Sequence, residues 1–251
     1  MKKIKIKRKK YKGYEIYYYE DKFLNISKDI INENFQIIKI YKDTVRNYVA
    51  KISLKNEEYV LKSPKAENVI PQRKILSAFK SGEALTTLKN IKETEEKKIT
   101  EFVKIYAAIV KRNIFIQESY ILMENIEGEI LRTEEDVDKV LEVVEKLHKN
   151  KIYHGDLNTS NFIKNNNEIK IIDSQAKQEK YWNFKKWYDI FTLEEDLLVL
   201  SLHYNVKEKY NFLKKDVGYY TALFLKKFKN ISTIKKIKRI KKKLRQKGWK
   251  I

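Results

Sequence analysis

Ile152-Tyr153-His154-Gly155-Asp156-Leu157-Asn158-Thr159-Ser160-Asn161, with Ile169-Lys170-Ile171-Ile172-Asp173 a few residues on, carries most of the chemistry in this chain. It offers two carboxylates and an amide, flanked by apolar residues, at two neighbouring loop ends. Asp156 and Asn161 lie five residues apart, and Asp173 closes an apolar strand twelve residues beyond Asn161. That combination suits phosphoryl transfer. One carboxylate accepts the proton of an attacking hydroxyl, while an amide oxygen and a second carboxylate hold a magnesium ion over the phosphates. Hard oxygen donors of this kind select magnesium over softer metals.

Upstream of the loop the chain reads as strands, and downstream as helices. Residues 13–20 (GYEIYYYE), 34–42 (NFQIIKIYK), 47–55 (NYVAKISLK) and 57–62 (EEYVLK) have strand patterns, with a hairpin corner at Lys55-Asn56-Glu57 that lacks glycine. Residues 72–98 turn helical, with Ile75, Leu76, Phe79, Leu85, Leu88 and Ile91 roughly on one face. Strand patterns return at Phe102–Val110 and Ile114–Glu124. From Thr133, where Thr133 with Asp136 resembles a capping box, Val137, Val140, Leu141, Val144, Leu147 and His148 mark a helix that leads into the loop. A strand is expected at Glu168–Asp173 after the turn-forming run Asn165-Asn166-Asn167. Helical pattern resumes around Leu193–Tyr204 and in the basic C-terminus. The chain is therefore expected to be α+β, a small sheet lobe joined to a larger helical one.

Composition narrows the function classes. With 251 residues, 42% of them hydrophobic and 12% aromatic, the chain is too apolar to be disordered. It has no cysteine, which excludes a disulfide framework and a thiolate metal site, and its three histidines stand apart. No apolar run approaches a membrane span or a secretory signal, so a soluble protein is expected. The net charge of +21 is concentrated at the ends: residues 1–12 hold eight Lys/Arg and residues 226–251 hold thirteen, with no acid in either. Removing those 21 from the 55 leaves 34 basic residues against 34 acidic ones. A neutral body with two cationic ends suits an anionic membrane or glycolipid surface. Nucleic acid is not expected, since the basic stretches contain few interleaved aromatics and no recognisable binding module.

The order of these parts resembles the protein-kinase-like superfamily, with its loop H-x-D-L-x-x-x-N followed by a strand ending in a metal-binding Asp. The resemblance implies a bilobal fold, with a small antiparallel-sheet N-lobe over residues 1–123 and a mostly helical C-lobe over residues 124–251. It implies Asp156 as base, and Asn161 and Asp173 as magnesium ligands. It also implies MgATP between the lobes, with Lys62 of Tyr59-Val60-Leu61-Lys62 on the α/β-phosphates. The helical partner of Lys62 is expected to be Glu83, with Glu93 as the other candidate. The backbone of Glu124 and Ile126, in a strand leading to the interlobe hinge, is expected to meet the adenine edge. Asp196 is a candidate brace for the catalytic loop, and His154 is expected to brace that loop and not to act as base.

Several departures point away from protein kinases. The turn expected over the phosphates, Tyr41-Lys42-Asp43-Thr44-Val45-Arg46-Asn47, has no glycine, and Arg46 is a candidate to assist there. The metal triplet is Asp173-Ser174-Gln175, Gly155 stands where regulated kinases carry arginine, and no A-P-E segment follows. The chain is most similar to the lipopolysaccharide core heptose(II) kinase family, through Tyr41-Lys42-Asp43, Tyr59-Val60-Leu61-Lys62, Gly82-Glu83, Tyr153-His154-Gly155-Asp156 and Ile171-Ile172-Asp173-Ser174-Gln175. That resemblance implies ATP-dependent phosphorylation of a heptose in the lipopolysaccharide inner core, on the cytoplasmic side of the inner membrane. The competing readings are a small-molecule kinase of the aminoglycoside or choline type, a catalytically inactive kinase-like binding protein, and a nucleic-acid binder with an accidental loop match.

Overall fold

The computed structural model describes residues 5–180 and 182–230. The chain divides into two compact units, Met1–Glu127 and Gly128–Ile251.

The first unit is a seven-stranded antiparallel sheet with helices packed on it. Its strands are β1 (Lys7–Tyr11), β2 (Tyr14–Tyr18), β3 (Gln36–Asp43), β4 (Tyr48–Leu54), β5 (Glu57–Ser63), β6 (Ile105–Arg112) and β7 (Ile116–Glu124), in the order β1-β2-β6-β7-β5-β4-β3. Tight turns set the register. At Lys12-Gly13 and Lys55-Asn56 both central residues have positive φ, as a two-residue type I′ turn requires. Asparagine tolerates that conformation, so the corner at Lys55-Asn56 needs no glycine. Strand alternation then sorts side chains by face. Ala50, Ile52, Leu54, Tyr59 and Leu61 join Ile16, Ile109 and Leu122 in one buried cluster, which leaves Lys62 on the opposite face of β5.

Among the described residues, this unit has helices α1 (Lys22–Ile31), α2 (Ala66–Val69), α3 (Pro71–Ser77) and α4 (Glu83–Glu96). Helix α1 seals the buried cluster with Phe23, Ile26 and Ile30, each such burial contributing about 1.5–3 kcal/mol. The sequence reading has no counterpart for α1, although those residues follow the i, i+3, i+7 spacing of an amphipathic helix.

Two other differences have clear causes. The basic run Lys7–Lys10, read above only as part of a cationic end, forms an edge strand; lysines on an edge keep further strands from adding to it. The helix expected over 72–98 is broken in two, because Gly82 takes φ +84° and the chain turns there. Leu85, Leu88 and Ile91 are buried, but Ile75, Leu76 and Phe79 on the other side of the break are exposed. Strands β6 and β7 start two or three residues later than their sequence patterns suggest.

In the second unit α5 (Glu134–Lys149) leads into β8 (Ile152–Tyr153), the loop, and a hairpin of β9 (Phe162–Asn165) and β10 (Glu168–Ile171). β11 (Lys177–Gln178) returns to pair with β8. Helices α6 (Phe184–Glu194), α7 (Leu197–Ser201), α8 (Val206–Lys209) and α9 (Val217–Asn230) follow. The helical pattern placed around Leu193–Tyr204 is thus the end of α6 and all of α7, separated at Asp196, which caps α7 through its side chain. Helix α9 packs on α6 through Tyr219, whose ring meets Trp187 and Phe191 edge-on. The expected basic C-terminal helix falls mostly on residues 231–251, outside the described residues.

Candidate active site

In the first unit the central feature is an ion pair. Lys62 Nζ lies 3.8 Å from Glu83 Oε1, and both side chains are largely shielded, at 12% and 14% exposure. Shielding keeps such a pair from being screened away as a surface pair would be. Glu83 is the first residue of α4, whereas Glu93 lies nearly three turns further along it. At the other end of the unit β7 stops at Glu124, whose N–H donates to the Lys104 carbonyl at 2.9 Å. Ile126 follows, outside any strand or helix. The glycine-free turn is closed by other means: the Thr44 N–H donates to the Asn47 carbonyl at 2.9 Å, and the Asn47 N–H donates to Thr44 Oγ1 at 3.0 Å. The Arg46 carbonyl accepts the Ala66 N–H at 2.8 Å, tying the turn to α2, while the Arg46 side chain is exposed.

In the second unit the β9–β10 hairpin sets the geometry. Asn166 and Asn167 both take positive φ, so the turn pairs Asn165 with Glu168 and Phe162 with Ile171. Continuing that register, the Ile172 N–H donates to the Asn161 carbonyl at 3.0 Å. Asn161 therefore stands opposite Ile172, the residue before Asp173, although the sequence separates Asn161 and Asp173 by twelve positions. The Asn161 amide nitrogen donates to the Asp156 carbonyl at 2.8 Å, which turns its oxygen away from that bond. The structure therefore brings Asp156, Asn161 and the approach to Asp173 into one connected loop pair, with Asp156 and Asp173 exposed. An amide oxygen and a carboxylate form a hard donor set that fits magnesium. Among the described residues no group of three His, Cys, Asp or Glu side chains could hold a metal alone. Magnesium is commonly held by one or two carboxylates with substrate phosphates completing its shell, so the donor set still fits.

Three side chains hold the loop from beneath. Asp189 of α6, 1% exposed, accepts the N–H groups of His154 at 2.6 Å and Gly155 at 2.9 Å. Asp196 accepts the Thr159 N–H at 3.1 Å and its hydroxyl at 2.8 Å, so it does brace the loop, but at the far end. Ser174 donates its hydroxyl to the His154 carbonyl at 3.1 Å, which links the segment after Asp173 to the loop start. His154 is buried against Phe162, and its Nδ1 faces the Asp156 N–H at 3.4 Å. Burial pushes the His154 and His148 imidazoles below the ordinary histidine value, against the pull of Asp189, so both are neutral at pH 7. A neutral, buried His154 suits a bracing role. Gly155 takes φ +91°, a conformation side chains rarely adopt.

Asp136 anchors the hairpin to α5. It completes the Thr133 capping box and also accepts the Arg132 N–H at 2.8 Å and the Lys164 ammonium of β9 at 3.0 Å. Burial pushes its carboxyl up, but those bonds more than offset this and hold it at about 2.

Asp189 is the functional residue that sequence reasoning missed. Its signal was an acid set among Trp187, Ile190, Phe191 and Leu193, on the buried side of an amphipathic helix, where a charge is rare unless it is paired.

An antiparallel-sheet unit carrying a shielded Lys–Glu pair, followed by a helical unit carrying this loop and hairpin, defines a protein-kinase-like fold. The solved structure of WaaP in complex with acyl carrier protein has the same fold, with a TM-score of 0.54 at 13% identity, over 80% of this chain and 87% of that one. Residues 5–243 match the model of the family described as lipopolysaccharide core biosynthesis protein (WaaY), and the chain belongs to that family. Among its relatives, the lipopolysaccharide core heptose(II) kinase WaaY of Escherichia coli (strain K12) is 26% identical over 230 residues, covering 83% of this chain and 87% of the relative. A second Escherichia coli protein of the same name is 24% identical over 255 residues, covering 91% and 96%.

Proposed function

We propose that this chain transfers the γ-phosphoryl group of ATP to a heptose hydroxyl of the lipopolysaccharide inner core. The observation that carries the chemistry is the hairpin register that sets Asn161 beside the Asp173 strand end while its amide is tied to Asp156. The acceptor rests on the family and on the names of its members.

Asp156 orients the sugar hydroxyl and takes its proton as the oxygen attacks phosphorus, with ADP leaving in line. Lys62, held by Glu83, binds the α/β-phosphates. Asn161 and Asp173 supply the magnesium ligands, and the ion, when bound, neutralises phosphate charge. The Glu124 N–H is already used by Lys104, so its part in binding adenine falls to its carbonyl, with Ile126 supplying an N–H. Since the transition state is loose, positioning and charge neutralisation supply most of the acceleration.

The basic ends hold the protein against an anionic glycolipid or membrane surface at the cytoplasmic face of the inner membrane. Two observations support this reading. Val217, Tyr220, Phe224 and Phe228 form an exposed apolar stripe along α9, and thirteen Lys/Arg without an acid occupy residues 226–251. Aromatic rings beside a basic stretch suit a membrane interface. Among the described residues no helix is long and apolar enough to cross a membrane.

The test is incubation of core oligosaccharide of known phosphorylation state with MgATP, read by mass spectrometry. Gain of one phosphate is expected, with Asp156→Ala and Asp173→Ala folded but inactive. At 100 times Kd, MgATP should stabilise the wild-type fold by about 2.7 kcal/mol, a shift lost in Asp173→Ala. Normal turnover by either variant overturns the assignment.

A further inference from the structure

The Lys62–Glu83 pair has a support that neither residue supplies. Glu83 opens α4, and the residue before it, Gly82, has no side chain with which to cap the helix. The cap comes from another element: Glu67 of α2 accepts the Glu83 N–H on Oε1 at 2.8 Å. The approach is close enough that a Cβ on Gly82 would overlap Ile116 Cδ1 and come within 3.3 Å of Glu67 Oε2. Helix α2 is itself fixed at two points. The Ala66 N–H donates to the Arg46 carbonyl in the β3–β4 turn, and Asn68 Nδ2 donates to the Gln117 carbonyl of β7 at 2.8 Å.

Glu67 Oε2 is buried with no hydrogen-bond partner among the described residues. A carboxylate oxygen in that state is costly, and a capping alcohol or amide would avoid the cost. Burial pushes the Glu67 carboxyl up and the Glu83 N–H draws it back; the Glu83 carboxylate pushes it further up, and Arg73 and Arg112 oppose that. The group is thus kept in an unfavourable place, with its one well-formed bond directed at the residue that holds Lys62.

We infer that Glu67 is a positioning residue for nucleotide binding: by capping α4 from outside the helix it sets where Glu83 stands, and through Glu83 where Lys62 stands. The inference rests on the kinase reading above. A helix end without a cap frays in its first turn, and Glu83 lies in that turn, so loss of the cap lets the carboxylate drift from Lys62.

The experiment compares steady-state kinetics of wild type, Glu67→Ala, Glu67→Asp, Glu67→Gln, Glu83→Ala and the double variant Glu67→Ala/Glu83→Ala. Amide hydrogen exchange at Glu83 is measured alongside. Glu67→Ala should lower kcat/KM for ATP about tenfold, the equivalent of 1.4 kcal/mol, with the KM for the sugar acceptor unchanged and Glu83 exchange accelerated. Glu67→Asp, one methylene short of the bond, should lose as much, which keeps the test valid if the alanine variant does not fold. Glu67→Gln, whose amide oxygen still accepts, should restore most of the loss. In the Glu83→Ala background, removing Glu67 should add nothing.

Additive losses in the double variant overturn the inference while leaving the kinase reading intact. So does a glutamine variant as impaired as alanine, or an alanine variant with wild-type kinetics. A wild-type chain that neither binds nor turns over MgATP overturns both.

Discussion

Removal of the Asp189 carboxylate tests whether the catalytic loop is held from below. In the wild type it accepts two backbone N–H groups, at 2.6 and 2.9 Å, and is 1% exposed. Hydrogen bonds to a charged group contribute about 1.5–3 kcal/mol each, and losing them leaves two donors facing a cavity. The expected cost of Asp189→Ala is about 3–5 kcal/mol, set against a typical total of 5–15 kcal/mol. For a chain of this size that lowers Tm by roughly 6–20 °C. Asp189→Asn keeps one acceptor oxygen but points an NH₂ at the second N–H, so it should recover about half the loss. Thermal and urea unfolding give the magnitude, and hydrogen exchange at His154 and Gly155 gives the location. If Asp189→Asn melts with the wild type and both amides stay protected, the bracing argument is wrong.

Other outcomes follow from the same geometry. Because burial lowers the His148 and His154 values below the ordinary 6.5, the unfolded chain binds more protons than the folded one below that pH. Stability should be full above pH 6.5 and fall as pH drops, by up to about 1.4 kcal/mol per histidine per pH unit, and His154→Asn should flatten the fall in a series of melts. Asp136, held at about 2 against an ordinary 3.8, should contribute about 2 kcal/mol that is present above pH 3.8 and lost as pH falls through 2; Asp136→Asn should remove that acid-range slope. Gly155→Ala meets nothing nearer than the Tyr153 ring at 3.6 Å, so its cost should be the backbone term alone, about 1–3 kcal/mol in a urea titration. A much larger loss would mean that the loop has less room than these distances give it.

The legibility of the site was uneven for physical reasons. Asp156, Asn161 and Asp173 could be singled out because loop chemistry is local: a short run of residue types at fixed spacing, between a patterned helix and an apolar strand. The Lys62–Glu83 pairing could be expected from order along the chain, and the distance agrees with it. The partners of Glu67 and Asp189 could not, since each acts on backbone N–H groups 16 and 34–35 positions away, and a bond to backbone leaves no mark on the partner's identity. The edge strand Lys7–Tyr11 was hidden because its lysines show no alternation; it exists through pairing with β2. The break at Gly82 was hidden because the apolar spacing runs on across it.

By itself the sequence determined the local matters: strand alternation that puts Lys62 opposite the buried face, the Thr133 capping box, and asparagine turns that close hairpins without glycine. These depend on neighbours along the chain, and periodicity and turn chemistry record them. Only the tertiary structure decided which acid braces which loop, where α4 begins, and that Asn161 lies beside the Asp173 strand end. Those outcomes depend on packing between distant segments, where a buried carboxylate persists only if donors from elsewhere in the fold reach it.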